Sequence, residues 1–250
     1  ISCHPLGGQI TSFLKSHKKT NCKLATVMTD FASHKQWLIG KDYTDYFFVS
    51  NIEMKTSLIS EGIYPNKIYV SGIPISPNFY KNYDKENIYK SLNIAKNKKN
   101  IIFFGGGSLG LSSSSNIQAI LTSLLQATDE SYQIIIISGK NQKLYNDFQK
   151  TINNTYHKSQ IKLIDFTTEL PELLPITSFV ITKPGGLTIT ECISTNVPII
   201  LINPIPAQEK ENSQYISDNK MGIWIKANKP TSEYFQEIFN DTKLIEEIKE

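Results

Sequence analysis

The segment ITKPGGLTITE, residues 181–191, decides the fold class. An apolar run ends in Lys-Pro-Gly-Gly, and a threonine-rich segment that is compatible with a helix follows at once. Glycine lets the backbone approach a ligand closely, and the amides that open a helix attract anions. The segment therefore predicts a strand, a phosphate-binding turn and a helix, although a plain strand-to-helix turn would carry the same pattern.

Similar strand-like runs recur along the chain between helix-like segments. The strand candidates are LATVMT, YFFVS, KIYVSG, NIIFFGGG, QIIIISGK, IKLIDF, FVITKPGG and PIILINP, and the helix candidates are 53–60, 116–128, 142–152, 187–195 and 208–219. Strands that are apolar throughout and alternate with helices are typical of parallel sheets covered on both faces. The pattern predicts a doubly wound α/β fold.

A break in this alternation predicts two domains. Pro74, Pro77 and a polar, lysine- and asparagine-rich run up to residue 100 separate two series of strands. We expect 1–79 to be the back part of one Rossmann-like domain, truncated at its amino terminus, and 80–250 to be a second, nearly complete one. Residues 1–8 suggest the end of a strand running into a loop.

Composition excludes several classes of function. The net charge is +3, which is too weak to predict a nucleic-acid partner, and no apolar run approaches the ~18 residues of a spanning helix. All 26 basic residues are lysines, so a phosphate site must use backbone amides, hydroxyls or lysine. The three cysteines and four histidines show no disulfide or metal-ligand spacing, which favours a cytoplasmic setting and predicts no metal.

Three strand ends are candidate ligand sites, because ligands of parallel sheets bind beyond the carboxyl ends of the strands. These are residues 105–110, 138–141 and 183–186. In the last of them, Gly185, Gly186 and Leu187 would present amides to a diphosphate, and Thr188 could donate its hydroxyl. Glu191 could accept hydrogen bonds from both hydroxyls of a ribose, or it could simply pair with the helix dipole.

Two further groups of polar residues follow strand ends. Gln208, Glu209 and Asn212 open a helix and suit a polyhydroxyl ligand such as a sugar, although a solvated helix start has the same composition. Asp30, His34 and Trp37 lie in TDFASHKQW, after a strand of the first series. A buried histidine with satisfied hydrogen bonds is the common alternative for His34.

The chain resembles a known family in six motifs that occur in the same order. They are ATVMTDFASHKQW, VSGIPISPNF, FFGGGSLG, ISGKN, ITKPGGLTITE and PAQEKEN. In these the chain is similar to the processive diacylglycerol glucosyltransferases and monogalactosyldiacylglycerol synthases, and more distantly to the enzyme that adds N-acetylglucosamine to the peptidoglycan lipid intermediate. The resemblance spans nearly all 250 residues.

This resemblance implies a GT-B fold and an inverting, metal-independent transfer of glucose or galactose from a UDP-hexose, which is a substrate and not a cofactor. The acceptor would be diacylglycerol or a glycolipid, reached by peripheral contact with the cytoplasmic face of the membrane. The implied UDP-sugar contacts are Gly106, Gly107, Ser108, Phe166, Lys183, Gly185, Gly186, Leu187, Thr188, Glu191, Gln208, Glu209 and Asn212. Asp30, His34 and Trp37 would border the acceptor path.

The catalytic base is not among these residues. In the family, it is expected in a glycine-rich, histidine-containing loop that would precede Ile1. Two alternatives stay open, namely an isomerase similar to UDP-sugar 2-epimerases and a non-catalytic fragment that binds a UDP-sugar. The donated hexose and the number of hexoses added are open as well.

Overall fold

A computed structural model describes residues 1–106, 114–155, 158–202, 208–226 and 230–249. Within these residues the strands form two parallel sheets, one of three strands and one of six. Helices connect successive strands, as parallel pairing requires. The predicted α/β architecture is confirmed.

The first sheet has the strand order β1-β2-β3. Its strands are β1 (Ala25–Val27), β2 (Tyr46–Val49) and β3 (Ile68–Val70), and Ser2 pairs with Thr26 at the edge beside β1. The prediction for residues 1–8 was only partly right, because a helix already begins at Pro5. Proline suits the first position of a helix, and the His4 side chain caps it by accepting a hydrogen bond from the Leu6 amide.

The second sheet has the strand order β6-β5-β4-β7-β8-β9. Its strands are β4 (Lys99–Phe104), β5 (Tyr132–Ile137), β6 (Ile161–Ile164), β7 (Phe179–Thr182), β8 (Ile199–Leu201) and β9 (Ile223–Trp224). The three polar strand ends predicted as ligand sites follow β4, β5 and β7, which are direct neighbours in this sheet. They therefore meet at one edge of it.

Ten α-helices lie in the described part of the chain. They are α1 (Pro5–Ser16), α2 (Ile52–Ser60), α3 (Lys85–Ser91), α4 (Ser114–Ala127), α5 (Gln142–Asn153), α6 (Leu170–Leu173), α7 (Gly186–Ser194), α8 (Gln208–Asp218), α9 (Ser232–Asn240) and α10 (Thr242–Lys249). The five predicted helices are confirmed as α2, α4, α5, α7 and α8. None of the described helices is long and apolar enough to span a bilayer.

The six-stranded sheet is buried on both faces, as its apolar strands predict. Phe103 of β4 belongs to a core cluster with residues of α4, α5 and α9 on one face, and Ile102 belongs to a cluster with residues of α6, α7 and α8 on the other. Phe79, in the segment between β3 and β4 that joins the two sheets, belongs to the second of these clusters. The domain boundary after residue 79 stays a prediction.

Candidate functional site

An open cavity of about 650 Å³ lies beyond the carboxyl ends of β4, β5 and β7. Its size is in the range of small-molecule sites, and its place is where parallel α/β sheets bind ligands. Among its lining residues are Gly106, Phe166, Lys183, Gly185, Leu187, Thr188 and Glu209, all of which were predicted from the sequence. Gly107 and Ser108 lie outside the described residues.

The amino terminus of α7 forms one wall of the cavity. Gly185 is the residue that precedes the helix, and it has no side chain with which to cap the first amides. The first amides of a helix have no partner within the helix and carry its positive partial charge. This end of α7 can therefore bind an anion, and the Thr188 side chain lines the cavity beside it.

Two lysines bring positive charge to the cavity. Lys183 is half-buried, and burial lowers the pKa of its ammonium group, an effect that the charge of Glu209 partly opposes. The Lys140 ammonium lies over the Phe166 ring, 5.0 Å from the ring centre, and Phe166 is 54% exposed. The cavity thus combines an open aromatic face with cationic and amide groups.

Glu191 lies one turn along α7 from Leu187 and is not among the residues that line the cavity. Its carboxyl group is half-buried, and burial raises its pKa to about 7. A buried carboxylate gains from hydrogen-bond donors, because burial disfavours the charged form. Donors from a ligand at the start of α7 would therefore stabilise the ionised Glu191.

The loop after β1 packs directly against the start of α7. A Cβ atom on Gly186 would lie 1.9 Å from the Thr29 carbonyl oxygen and 3.0 Å from its carbon. Glycine is therefore required at 186 by the contact between the two sheets. By contrast, a Cβ atom on Gly185 would meet nothing within 4 Å.

Asp30, next to Thr29, forms the centre of a buried hydrogen-bond network between the two sheets. Its Oδ2 accepts from Trp37 Nε1 at 2.9 Å, and His34 Nε2 lies 3.4 Å from the same oxygen. Its Oδ1 accepts from the side-chain amides of Gln208 and Asn212 on α8. Burial raises the pKa of Asp30, but the nearby His34 and the hydrogen bonds from Gln208, Trp37 and Asn212 outweigh burial and hold the pKa below its usual value.

The side-chain amide of Asn212 also connects the two sheets, through hydrogen bonds to backbone groups on both sides. Its Nδ2 donates to the Pro184 carbonyl at 3.1 Å, and its Oδ1 accepts from the Phe31 amide at 2.8 Å. The Phe31 ring stacks on Tyr215 of α8, with the ring centres 5.6 Å apart. The loop after β1 and the start of α8 are thus joined beside the cavity.

The positions of Trp37 and Asn212 differ from those expected from the sequence. Trp37 is 4% exposed and packs in the core of the first sheet, so its ring does not offer an open face to an acceptor. Asn212 is 1% exposed, and its amide is occupied by protein partners, so it braces the site and does not face a sugar. In both cases Asp30 explains the burial, since it accepts hydrogen bonds from their polar groups.

Sequence reasoning missed several lining residues. Lys140, Thr182 and Leu170 line the cavity and were not singled out. Lys140 belongs to a strand end that was identified, so its position after β5 was an available signal. Across the described ranges, no three His, Cys, Asp or Glu side chains lie close enough together to hold a metal ion.

Two family models match the chain. The model for monogalactosyldiacylglycerol synthase matches residues 1–75, and the model for the glycosyltransferase family 28 C-terminal domain matches residues 101–246, more than half of the chain. The chain belongs to glycosyltransferase family 28. The resemblance in the sequence motifs is thereby confirmed.

Curated proteins with similar sequences carry the name of a diacylglycerol glucosyltransferase. The processive diacylglycerol beta-glucosyltransferase of Bacillus pumilus is 33% identical over 227 residues, which are 90% of this chain and 56% of that protein. The enzyme of the same name from Bacillus subtilis is 30% identical over 223 residues, 89% of this chain and 56% of that protein. The chain thus spans little more than half the length of these relatives.

Solved structures confirm the GT-B fold. UDP-GlcNAc 2-epimerase from Neisseria meningitidis superposes with a TM-score of 0.70 at 14% identity, over 95% of this chain and 66% of that one. MurG from Acinetobacter baumannii superposes with a TM-score of 0.61 at 15% identity, over 94% and 63% of the two chains. At such low identity the superpositions establish the fold alone.

Proposed function

We propose that the protein containing this chain transfers glucose or galactose from a UDP-hexose to diacylglycerol or a glycolipid. The reaction inverts the anomeric centre, requires no metal ion and takes place at the cytoplasmic face of the membrane. In this proposal, the six-stranded sheet binds the donor, and the three-stranded sheet belongs to the side of the acceptor. The relatives named for this reaction support the proposal across both sheets.

The observation that carries the proposal is the cavity at the start of α7. UDP needs an anion site for its diphosphate, hydrogen-bond acceptors for its ribose and a flat surface for its base. The α7 amides, Glu191 and the exposed Phe166 ring offer these three features, with Phe166 and the start of α7 lining one cavity. The hexose would then lie towards Glu209 and Gln208 at the start of α8.

The positive groups in the cavity can stabilise UDP as the leaving group of the transfer. When the bond between hexose and diphosphate breaks, negative charge grows on the leaving phosphate. Groups that already point at this charge lower the barrier more than groups that must reorganise. The amides of α7 are fixed by the helix, and the half-buried Lys183 supplies a positive charge beside them.

The contacts of Asp30 support the isomerase alternative less well than they support the transferase. A base that removes a proton from the sugar needs a carboxylate oxygen free to receive it. Both oxygens of Asp30 accept hydrogen bonds from side chains of the protein, namely Trp37 on one side and Gln208 and Asn212 on the other. Asp30 is thus in a position to connect the loop after β1 with α8.

The test is a transfer assay on the full gene product with radiolabelled UDP-glucose and, separately, UDP-galactose. Diacylglycerol vesicles are the acceptor, and each reaction is run with and without a metal chelator. Label in the lipid extract, unaffected by chelator, with the hexose in the β configuration by NMR, is the expected result. Epimerised sugar nucleotide without glycolipid would establish the isomerase, and UDP-hexose binding without turnover would establish a binding protein.

A further inference from the structure

Asp30 is 1% exposed, yet it is surrounded by hydrogen-bond donors from two separate parts of the chain. Trp37 and His34 approach it from its own loop, and Gln208 and Asn212 approach it from α8, 178 and 182 residues away in sequence. A buried carboxylate is costly unless it is well paired, and here it is. The arrangement therefore fixes α8 relative to the loop after β1.

The loop that carries Asp30 is itself fixed by the first sheet. Ser50 Oγ donates to the Asp30 carbonyl at 2.8 Å, and Asn51 Nδ2 donates to the Phe31 carbonyl at 2.8 Å. Both residues follow β2, beside β1 in the same sheet. The Asp30 carboxylate is thus held on a rigid frame before it meets α8.

The two amides that Asp30 accepts from are used differently. Asn212 employs both ends of its amide on protein partners, since its nitrogen bonds Asp30 and Pro184 and its oxygen bonds the Phe31 amide. Gln208 bonds Asp30 through its amide nitrogen. An ionised carboxylate can only accept hydrogen bonds, so this pairing dictates which end of the Gln208 amide faces away from Asp30.

We propose that Asp30 is a positioning residue that orients Gln208 for recognition of the donor hexose. By holding the amide nitrogen, Asp30 makes Gln208 present its oxygen, an acceptor, to a hydroxyl of the sugar. The inference rests on the proposed function, because it assumes a UDP-hexose whose sugar lies at the start of α8. It adds a residue from the sheet on the acceptor side to the recognition of the donor.

The test compares how the chain binds UDP-glucose and UDP by calorimetry, since only the first carries the hexose. Asp30→Asn introduces a donor, so the Gln208 amide is free to turn over. We expect the ratio of UDP-glucose affinity to UDP affinity to fall about two- to tenfold, as for one lost hydrogen bond, while UDP affinity is unchanged. Gln208→Ala leaves Asp30 intact and should lower the ratio as much, which keeps the test valid if Asp30→Asn folds poorly.

An exchange of the two groups separates positioning from a structural role. Gln208→Glu alone sets two carboxylates against each other and should weaken UDP-glucose binding. In Asp30→Asn with Gln208→Glu, the new amide donates to the new carboxylate, which still presents an oxygen to the sugar, so the ratio should recover. Gln214→Glu is the matched control, because Gln214 makes the same kind of bond to Asp218 on the exposed side of α8.

The outcomes distinguish this inference from the proposed function. A ratio that stays at the wild-type value in either Asp30→Asn or Gln208→Ala would overturn the inference, as would a double variant no better than Gln208→Glu. Hexose transfer by the wild-type protein would leave the proposed function standing in either case. Failure of the wild-type chain to bind UDP at all would overturn both.

Discussion

Replacing Gly186 with alanine tests the contact between the two sheets. The new Cβ atom would lie 1.9 Å from the Thr29 carbonyl oxygen, whereas Cβ atoms in proteins essentially never approach closer than 3.0 Å. The loop after β1 and the start of α7 must therefore separate by about 1 Å. Because Asp30 follows Thr29, this movement also stretches the hydrogen bonds from Gln208 and Asn212.

The expected loss of stability follows from these contacts. Overpacking a well-packed site costs about 1–3 kcal/mol, and each weakened hydrogen bond adds up to about 1 kcal/mol. For a chain of this size, a loss of about 2–4 kcal/mol corresponds to a melting temperature about 5–15 °C below that of the wild type. The start of α7 is displaced as well, so UDP affinity should fall.

Gly185→Ser is the matched control for this variant. Its Cβ atom has open space, the backbone at 185 is extended, and serine is a good residue to precede a helix. Thermal unfolding should therefore stay at the wild-type temperature or rise slightly, while the added side chain in the cavity weakens UDP-hexose binding. If Gly186→Ala melted and bound UDP like the wild type, the close packing of Thr29 on the start of α7 would be refuted.

Three further predictions concern the cavity. The affinity for UDP-glucose should rise about tenfold between pH 6 and 8 as Glu191 ionises, and Glu191→Gln should remove this pH dependence in calorimetry. The free energy of unfolding should fall as the pH rises from 4.5 to about 7, because Glu191 keeps its proton to a higher pH in the folded chain than in the unfolded chain. Lys183→Met should lower the affinity for UDP at least about tenfold without lowering the melting temperature. Lys150→Met, on the exposed side of α5, should change neither quantity, and equal UDP affinity in the two variants would contradict the charge assigned to Lys183. Phe166→Ala should weaken UDP by about 1–3 kcal/mol, the value of one base stacked on an aromatic ring, and an unchanged titration would remove Phe166 from the base site.

The cavity was predictable because its determinants are local in sequence. Each of its three strand ends follows an apolar run, and parallel sheets bring such ends to one edge. Gly185, Leu187 and Thr188, which are predicted to contact the diphosphate, line the cavity, and the contact itself stays a prediction. The role of Gly186 is different, since its lack of a side chain is required by Thr29 in the loop after β1.

Two helices, α3 and α9, are not among the predicted elements although their sequences carry local signals. The α3 helix lies in the polar run that suggested a linker, and its start is marked by Asp84, which caps the helix by accepting from the Glu86 amide. The α9 helix has an amphipathic pattern and buries Phe235 and Phe239 in the core of the second sheet. In both helices a core supplied by distant strands decides the structure.

The network around Asp30 could not have been predicted from spacing. It joins residues about 180 positions apart, and a single sequence gives no sign that Asp30 meets α8. The same network buries Trp37 and Asn212, two residues expected to face ligands. A polar residue after a strand end thus has two possible roles, and only the packing of the two sheets distinguishes them.

The decisive experiment on the proposed UDP site at the start of α7 is a crystal structure of the chain with UDP. We expect the diphosphate to contact the amides of α7 and Thr188, the ribose hydroxyls to reach Glu191, and the base to lie on Phe166. Density for UDP anywhere else on the protein, or a diphosphate that leaves the α7 amides without contact, would contradict it.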